Sequence, residues 1–216
     1  MEPARCGGSP LGARGCTLGS VTGPYDWFPM PHVLDVRCPR CRGCARFEHV
    51  ELVRIARKDD LPFFRGSSLF EVRFMRSRHA GQSFWAALYF AGLHGPPTST
   101  IHDLPQGYEP SQWAHGKYWY RTHALDLGSL FCACGHRARH TLAWPTEAFF
   151  QIEHRREVLW AYHREHAAAL RDYIAGTDRK PKRAKLGKLM MHLPAPFLEA
   201  RSRGPIVRKL DEILAP

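Results

Sequence analysis

The 216-residue chain carries 31 Lys and Arg against 20 Asp and Glu, a formal net charge of +11, and 44% of its residues are apolar. That is enough apolar material for one substantial core. The longest apolar run, FWAALYFAGL at 84–93, has about half of the ~18 residues that a membrane span needs, so it is read as a core element and no membrane association is expected. A basic surplus of this kind points to polyanionic partners, nucleic acid first, with merely solvated lysines and arginines as the plain alternative.

Residues 1–29 are rich in Gly, Pro and Ser, show little periodic hydrophobicity and have balanced charges, the composition of a flexible leader. They contain Cys6 and Cys16, read as incidental thiols. They lack the apolar stretch of a secretory signal, which together with the odd total of seven cysteines predicts a cytoplasmic protein in a reducing compartment, where close-set cysteines ligate metal rather than form disulfides.

Ordered structure is expected from about Met30. HVLDVRC predicts a strand leading into a cysteine cluster, and ARFEHVELVRIAR alternates apolar and charged residues as a half-buried strand leading out of it. SLFEVRFMR predicts another strand, followed by the apolar run and by a loop, HGPPTSTIHDLPQGYEPSQ, full of Pro and Gly. KYWYRTHALDLGSLF predicts a strand into a second cysteine turn, CACGH, and RARHTLAW leads away from it. Beyond Trp144-Pro145 the spacing of Ala148, Ile152, Leu159, Tyr162, His166, Ala169 and Tyr173 predicts one long helix, capped at Thr146 and ended by Gly176. A basic joint follows, with Arg179, Lys180, Lys182, Arg183, Lys185 and Lys188, and then a second helix over about 196–214, interrupted at Gly204-Pro205. The expected division is a leader at 1–29, a β-rich domain with an insertion at 30–145, and a C-terminal helical segment at 146–216. In fold class this is α+β, a zinc-stabilised β-rich core with an inserted subdomain.

The chemistry concentrates in two short runs. CPRCRGC holds Cys38, Cys41 and Cys44, and FCACGHRARH holds Cys132, Cys134, His136 and His140. A tight turn presents two sulfurs to one point, and two such turns complete a tetrahedral shell. Cys38, Cys41, Cys132 and Cys134 are the predicted ligands of a Zn²⁺ ion, with Cys44, His136 and His140 as possible replacements. CPRC followed by Arg42-Gly43 resembles the first knuckle of a zinc ribbon, where the Gly takes the unusual backbone angle, and CACG resembles a shortened second one. The resemblance is to that motif class and spans about 25 residues. Four thiolates close the shell, which implies a structural metal rather than a catalytic one.

No HExxH, HxE with PCxxC, GxSxG, P-loop or GxGxxG occurs, so the reading leans away from an enzyme. Binding is favoured instead. Aromatic residues interleaved with cations, FFR at 63–65, RFMRSRH at 73–79 and KYWYR at 117–121, suit a groove that stacks bases and holds phosphates. The candidate nucleic-acid residues are Arg73, Arg76, Arg78, Lys117, Trp119, Arg121, Arg179, Lys180, Lys182, Arg183 and Lys185. The competing reading is a protein-interaction adaptor that uses the apolar seams of the C-terminal helices. Last stands a histidine-dependent enzyme, built either from His154, His163, Glu165 and His166 or from His94, His102, Asp103 and His115.

Overall fold

The computed structural model describes residues 30–77, 81, 83–176 and 193–215; the side chain of Arg121 is outside that description, as are the predicted leader and the whole basic joint. The fold is α+β, as the sequence predicts. Strands β1 (Val33–Arg37), β2 (Cys44–His49), β3 (Glu51–Arg54), β4 (Phe70–Met75), β5 (Phe84–Tyr89), β6 (Ala114–His115), β7 (Leu127–Cys132), β8 (Arg137–Thr141), β9 (Phe150–His154) and β10 (Glu157–Ala161) form two four-stranded sheets and one hairpin. The principal helices are α1 (Leu61–Gly66), α2 (Arg164–Ala175) and α3 (Ala200–Leu214).

The first sheet runs β1-β2-β7-β8, antiparallel throughout. In β1 the alternation VLDVR puts Leu34 and Val36 inside and Asp35 between them, as a strand with one buried face requires. The second sheet, β4-β5-β3-β6, is made entirely from chain lying between β2 and β7. It is covered on both faces. Leu52, Met75, Phe84, Ala86 and Leu88 belong to one apolar cluster, while Val53, Phe70, Ala87 and Tyr89 belong to another with Phe64 and Trp113. Double coverage explains why FWAALYF reads as a continuous apolar run rather than as an alternating one.

Several expectations are corrected. The run ARFEHVELVRIAR is not one strand but two, β2 and β3, which part at Val50 and join different sheets. Of KYWYRTHALDLGSLF only Leu127–Cys132 is a strand; Gly116–Trp119 and Tyr120–His123 are short helical turns. The long helix predicted from 146 begins only at Arg164, because residues 150–161 form the β9–β10 hairpin. Its turn is Arg155-Arg156, both left-handed at φ 52° and 66°. Such a two-residue turn is normally signalled by Asn or Gly, so an Arg-Arg turn has no sequence mark. The buried residues Phe150, Ile152, Leu159 and Trp160 also fit a helical spacing as well as two short strands.

The last helix is likewise continuous through Gly204-Pro205, with its break earlier at Glu199, next to the short turn Ala195–Leu198. Packing of Ser202, Ile206 and Leu210 holds the proline within it. The hairpin β9–β10, α2 and α3 close over the first sheet, burying Trp160, Leu170, Ile174, Phe197, Ile206 and Leu210 with Leu34, Val36, Phe47 and Leu130. No helix among the described residues is long and apolar enough to cross a membrane.

β2 and β7 meet closely at Gly128, where any side chain would collide with the Glu48 carbonyl oxygen and the Phe47 ring. Gly128→Ala is therefore expected to cost about 2–3 kcal/mol, read as a lowered urea midpoint at unchanged slope. His166 on α2 supplies a pH test. Burial and then the His163 ring, stacked at 3.8 Å, lower its pKa from 6.5 to about 4. The unfolded chain binds this proton below 6.5 and the folded chain only near 4, so the stability contributed by the neutral ring is present above pH 6.5 and lost as pH falls toward 4. Because the ring is partly exposed, the effect is discounted to about 1 kcal/mol. His166→Gln should flatten the pH dependence of the unfolding midpoint by that amount between pH 6.5 and 4.5.

Candidate metal centre

The four candidate metal ligands come from the two turns that end the paired strands of the first sheet. Cys38 follows β1 and Cys44 opens β2, so the first knuckle is a β-hairpin turn: the Cys38 amide donates to the Gly43 carbonyl at 2.8 Å, and the Arg42 amide to the Cys38 carbonyl at 2.9 Å. The left-handed residue here is Arg42, at φ 65°, and not Gly43 as the motif suggested. A Cβ at Gly43 would lie 3.4 Å from Cys41 Sγ, an ordinary contact distance. The second knuckle joins β7 to β8. The Cys132 amide donates to the His136 carbonyl at 2.9 Å and the Gly135 amide to the Cys132 carbonyl at 3.0 Å, with Gly135 at φ 81°, an angle that only glycine adopts freely.

Register brings the two turns together. Ala45 pairs with Cys132 across β2 and β7, and antiparallel pairing puts the β1–β2 turn and the β7–β8 turn at the same end of the sheet. Cys38 Sγ then lies 3.8 Å from Cys134 Sγ and Cys41 Sγ 3.4 Å from Cys132 Sγ, across 96 and 91 residues of sequence. All four sulfurs are within 4.8 Å of one another. Sulfurs bound tetrahedrally at about 2.3 Å are spaced about 3.8 Å apart, so the set fits a single metal ion. Cys38 is fully buried while Cys41 and Cys134 are exposed, which puts the centre at the sheet's end with one side toward solvent.

The thiols of this cluster are already unequal. Burial raises the Cys38 pKa, but the Cys41 and Arg40 amides and the neighbouring sulfurs outweigh it and bring the group down to about 7. At Cys132 the Cys134 amide lowers the pKa; burial and the three other sulfurs prevail and push it up to about 12. One thiolate thus forms readily and disfavours its neighbours. A divalent cation removes that penalty, since it stabilises all four charges at once.

The alternatives separate cleanly. Cys44 is outside the cluster, its thiol pushed up to about 11 by burial and then by Asp35, and it contributes only its carbonyl, 3.6 Å from Cys132 Sγ. His140 bonds Glu147 at 2.9 Å, and His136 meets the knuckle through its backbone. Neither imidazole joins the sulfurs.

The predicted nucleic-acid residues are not gathered in one place. Arg73 is on β4 and Arg76 directly follows it, at one edge of the second sheet, and Lys117 follows β6, at the other edge, three strand spacings or about 14 Å away. Arg73 pairs with Glu71 at 2.6 Å; Arg76 lies over the Phe74 ring at 6.0 Å; Lys117 lies over Tyr118 at 5.1 Å. Trp119 is partly buried against the second sheet's core, edge-on to Phe84 at 5.2 Å. Arg121 sits on the turn Tyr120–His123, and Arg78, Arg179, Lys180, Lys182, Arg183 and Lys185 lie outside the described residues. One member of the group beside β4 was not singled out from sequence. Trp85, the cross-strand partner of Phe74, lies against it with ring centroids 5.2 Å apart and planes tilted by 57°, and Arg65, from the FFR run, lies over Trp85 at 5.0 Å. Only the pairing of β4 with β5 unites them. His94, His102 and Asp103 join no cluster of ligand atoms among the described residues.

Comparison with protein-family models, with curated proteins and with solved structures gives no match.

The purified chain is expected to hold one equivalent of divalent metal at its cysteines. Cys38→Ser and Cys132→Ser should each abolish it, and Cys44→Ser should leave it unchanged, measured by metal analysis alongside thiol titration. A closed four-thiolate site contributes about 10 kcal/mol or more of apparent binding free energy, comparable with a whole domain's net stability of about 5–15 kcal/mol. Chelation should therefore melt the first sheet, seen as loss of near-ultraviolet circular dichroism.

Proposed function

We propose that the chain is a zinc-stabilised nucleic-acid-binding protein of the cell's reducing interior, with the metal in a structural role. Zn²⁺ is the choice for the metal because four sulfurs in tetrahedral spacing leave no open position and suit an ion without geometric preference, as in the zinc-ribbon knuckles that the two turns resemble.

The observation that carries the binding proposal is the outer corner of β4 and β5. Phe74 is 44% exposed, an unusual state for a large aromatic residue, and it forms with Trp85 a cross-strand aromatic pair flanked by the guanidinium groups of Arg65 and Arg76. Opposite β-strand residues project to the same face, so rings and cations share one surface. Such a surface suits single-stranded nucleic acid, whose bases stack on the rings while its phosphates meet the arginines. Tyr118, 51% exposed beside Lys117, offers a second contact on the far edge.

The adaptor reading has less to stand on. Ile206 and Leu210 of α3 and Ile174 of α2 are buried in the chain's own core, leaving only partly buried residues such as Val207 and Ile213 on those helices. For an enzyme, His163 lines an open depression with Asp35, Arg164 and Glu165, but His166, stacked on it, is not part of that lining, and no hydroxyl or thiol is among the lining residues.

Fluorescence anisotropy with a labelled single-stranded oligonucleotide tests the proposal. Affinity should fall by orders of magnitude between about 50 and 200 mM salt, because phosphate contacts release counterions. Phe74→Ala, at an exposed site, should weaken binding by about 1–3 kcal/mol with folding intact, and Arg76→Ala should reduce the salt slope. Absence of binding at low salt, or binding indifferent to salt and to Phe74, would overturn the reading.

A further inference from the structure

A second set of metal-binding groups stands at the joint between the two sheets. Val50 is the residue at which the chain leaves β2 for β3, and three side chains converge beside it from separate parts of the sequence. Glu51 begins β3. His115 is directly opposite on β6, its register partner. His32 precedes β1 and is held by its carbonyl, which accepts from the His49 amide at 3.0 Å. Its ring stacks on that of His115, with centroids 3.9 Å apart and planes 19° from parallel. One ligand atom from each of His32, Glu51 and His115 lies within 4.8 Å of the others.

The surroundings are those of a ligand set rather than of a chance contact. Glu48 Oε1 is 3.4 Å from His32 Nε2, a carboxylate placed to accept from one imidazole nitrogen. With Nε2 protonated for that contact, Nδ1 carries the free electron pair. That Nδ1 is shielded from solvent and has no hydrogen-bond partner among the described residues. Carboxylates are regularly found behind metal-bound histidines in this way. Glu51 has no Lys or Arg ion-pair partner among the described residues. The backbone is fixed as well. The Gly116 amide donates to the Val50 carbonyl at 2.7 Å, and a side chain at Gly116 would collide with that carbonyl, so β6 is drawn tightly against the joint and His115 with it.

We propose that His32, Glu51 and His115 form a second metal site for a first-row divalent cation, Zn²⁺ or Fe²⁺, distinct from the cysteine centre. Two imidazoles and one carboxylate select such ions over Mg²⁺ and Ca²⁺, which favour all-oxygen shells. Three protein ligands leave coordination positions open to water or to a small anionic ligand, whereas the four sulfurs of the first centre leave none. Glu48 is a positioning residue that orients His32.

Metal titration of the full chain, with the cysteine centre already filled, tests the assignment. Zn²⁺, and Fe²⁺ under anaerobic conditions, are titrated separately and the bound metal is counted. The expected total is two equivalents per chain for at least one of these ions. Glu51→Gln and His115→Ala should each bind one, and Glu48→Gln should bind the second ion about 10–100-fold more weakly. Loading the same variants with Co²⁺ reports on the cysteine centre, since only thiolate ligation gives an intense charge-transfer band; that band should be unchanged. A wild-type chain that stops at one equivalent with both ions overturns the proposal whatever the variants do. So does a Glu51→Gln chain that keeps its thiolate band and still binds two. Should His115→Ala fail to fold, the near-isosteric Glu51→Gln and the wild-type count decide the matter.

Discussion

The antiparallel register between β2 and β7 is the constraint on which the rest depends. Pairing Ala45 with Cys132 puts both knuckle turns at one end of the sheet and reduces a separation of over 90 residues to sulfur contact distance. Closing so long a loop costs only logarithmically more than closing a short one, and the strand pairing supplies most of the alignment. The register is itself strongly specified. Phe47 and Leu130, partners in the ladder, are both fully buried, so a slip of one residue would turn both strands inside out. A metal held by the four sulfurs would stabilise the same arrangement as the ladder, one at its end and the other along its length.

The intervening chain does more than connect the knuckles. It builds a sheet with an apolar cluster on each face, and it leaves one corner of β4 and β5 uncovered. Holding chemistry and displaying chemistry are thereby divided between the sheets. Between them Val50 bends the chain, and the absence of a Cβ at Gly116 and Gly128 lets strands approach there more closely than any other residue would permit. A joint built this tightly is a suitable place for side chains that must keep fixed distances, and His32, Glu51 and His115 occupy it.

The net charge of +11 has no single location. Several arginines are committed within the fold. Arg137 donates to the Gly92 and Leu93 carbonyls, Arg164 to the carbonyls of Leu214 and Ala215, and Arg171 pairs with Asp211. Arg73 and Arg139 share Glu71. A count of basic residues therefore overstates the charge offered to a partner, and the uncovered aromatic corner with Arg65 and Arg76 is a more discriminating feature than the total.

The sequence by itself determined the α+β class, the strands around each knuckle and the identity of the four converging cysteines. These are local properties: alternation follows from the strand's two-residue period, and a short cysteine spacing follows from the geometry of a turn. The tertiary structure alone decided the rest. It split Phe47 and Val53 between two sheets at Val50, turned 150–161 into a hairpin through an unmarked Arg-Arg turn, and excluded Cys44, His136 and His140 from the sulfur cluster. It also joined Phe74 to Trp85 and His32 to Glu51 and His115. Each of those outcomes depends on which strands pair and in what register, and pairing is settled by burying apolar surface over the whole molecule, a quantity that no short stretch of residues contains.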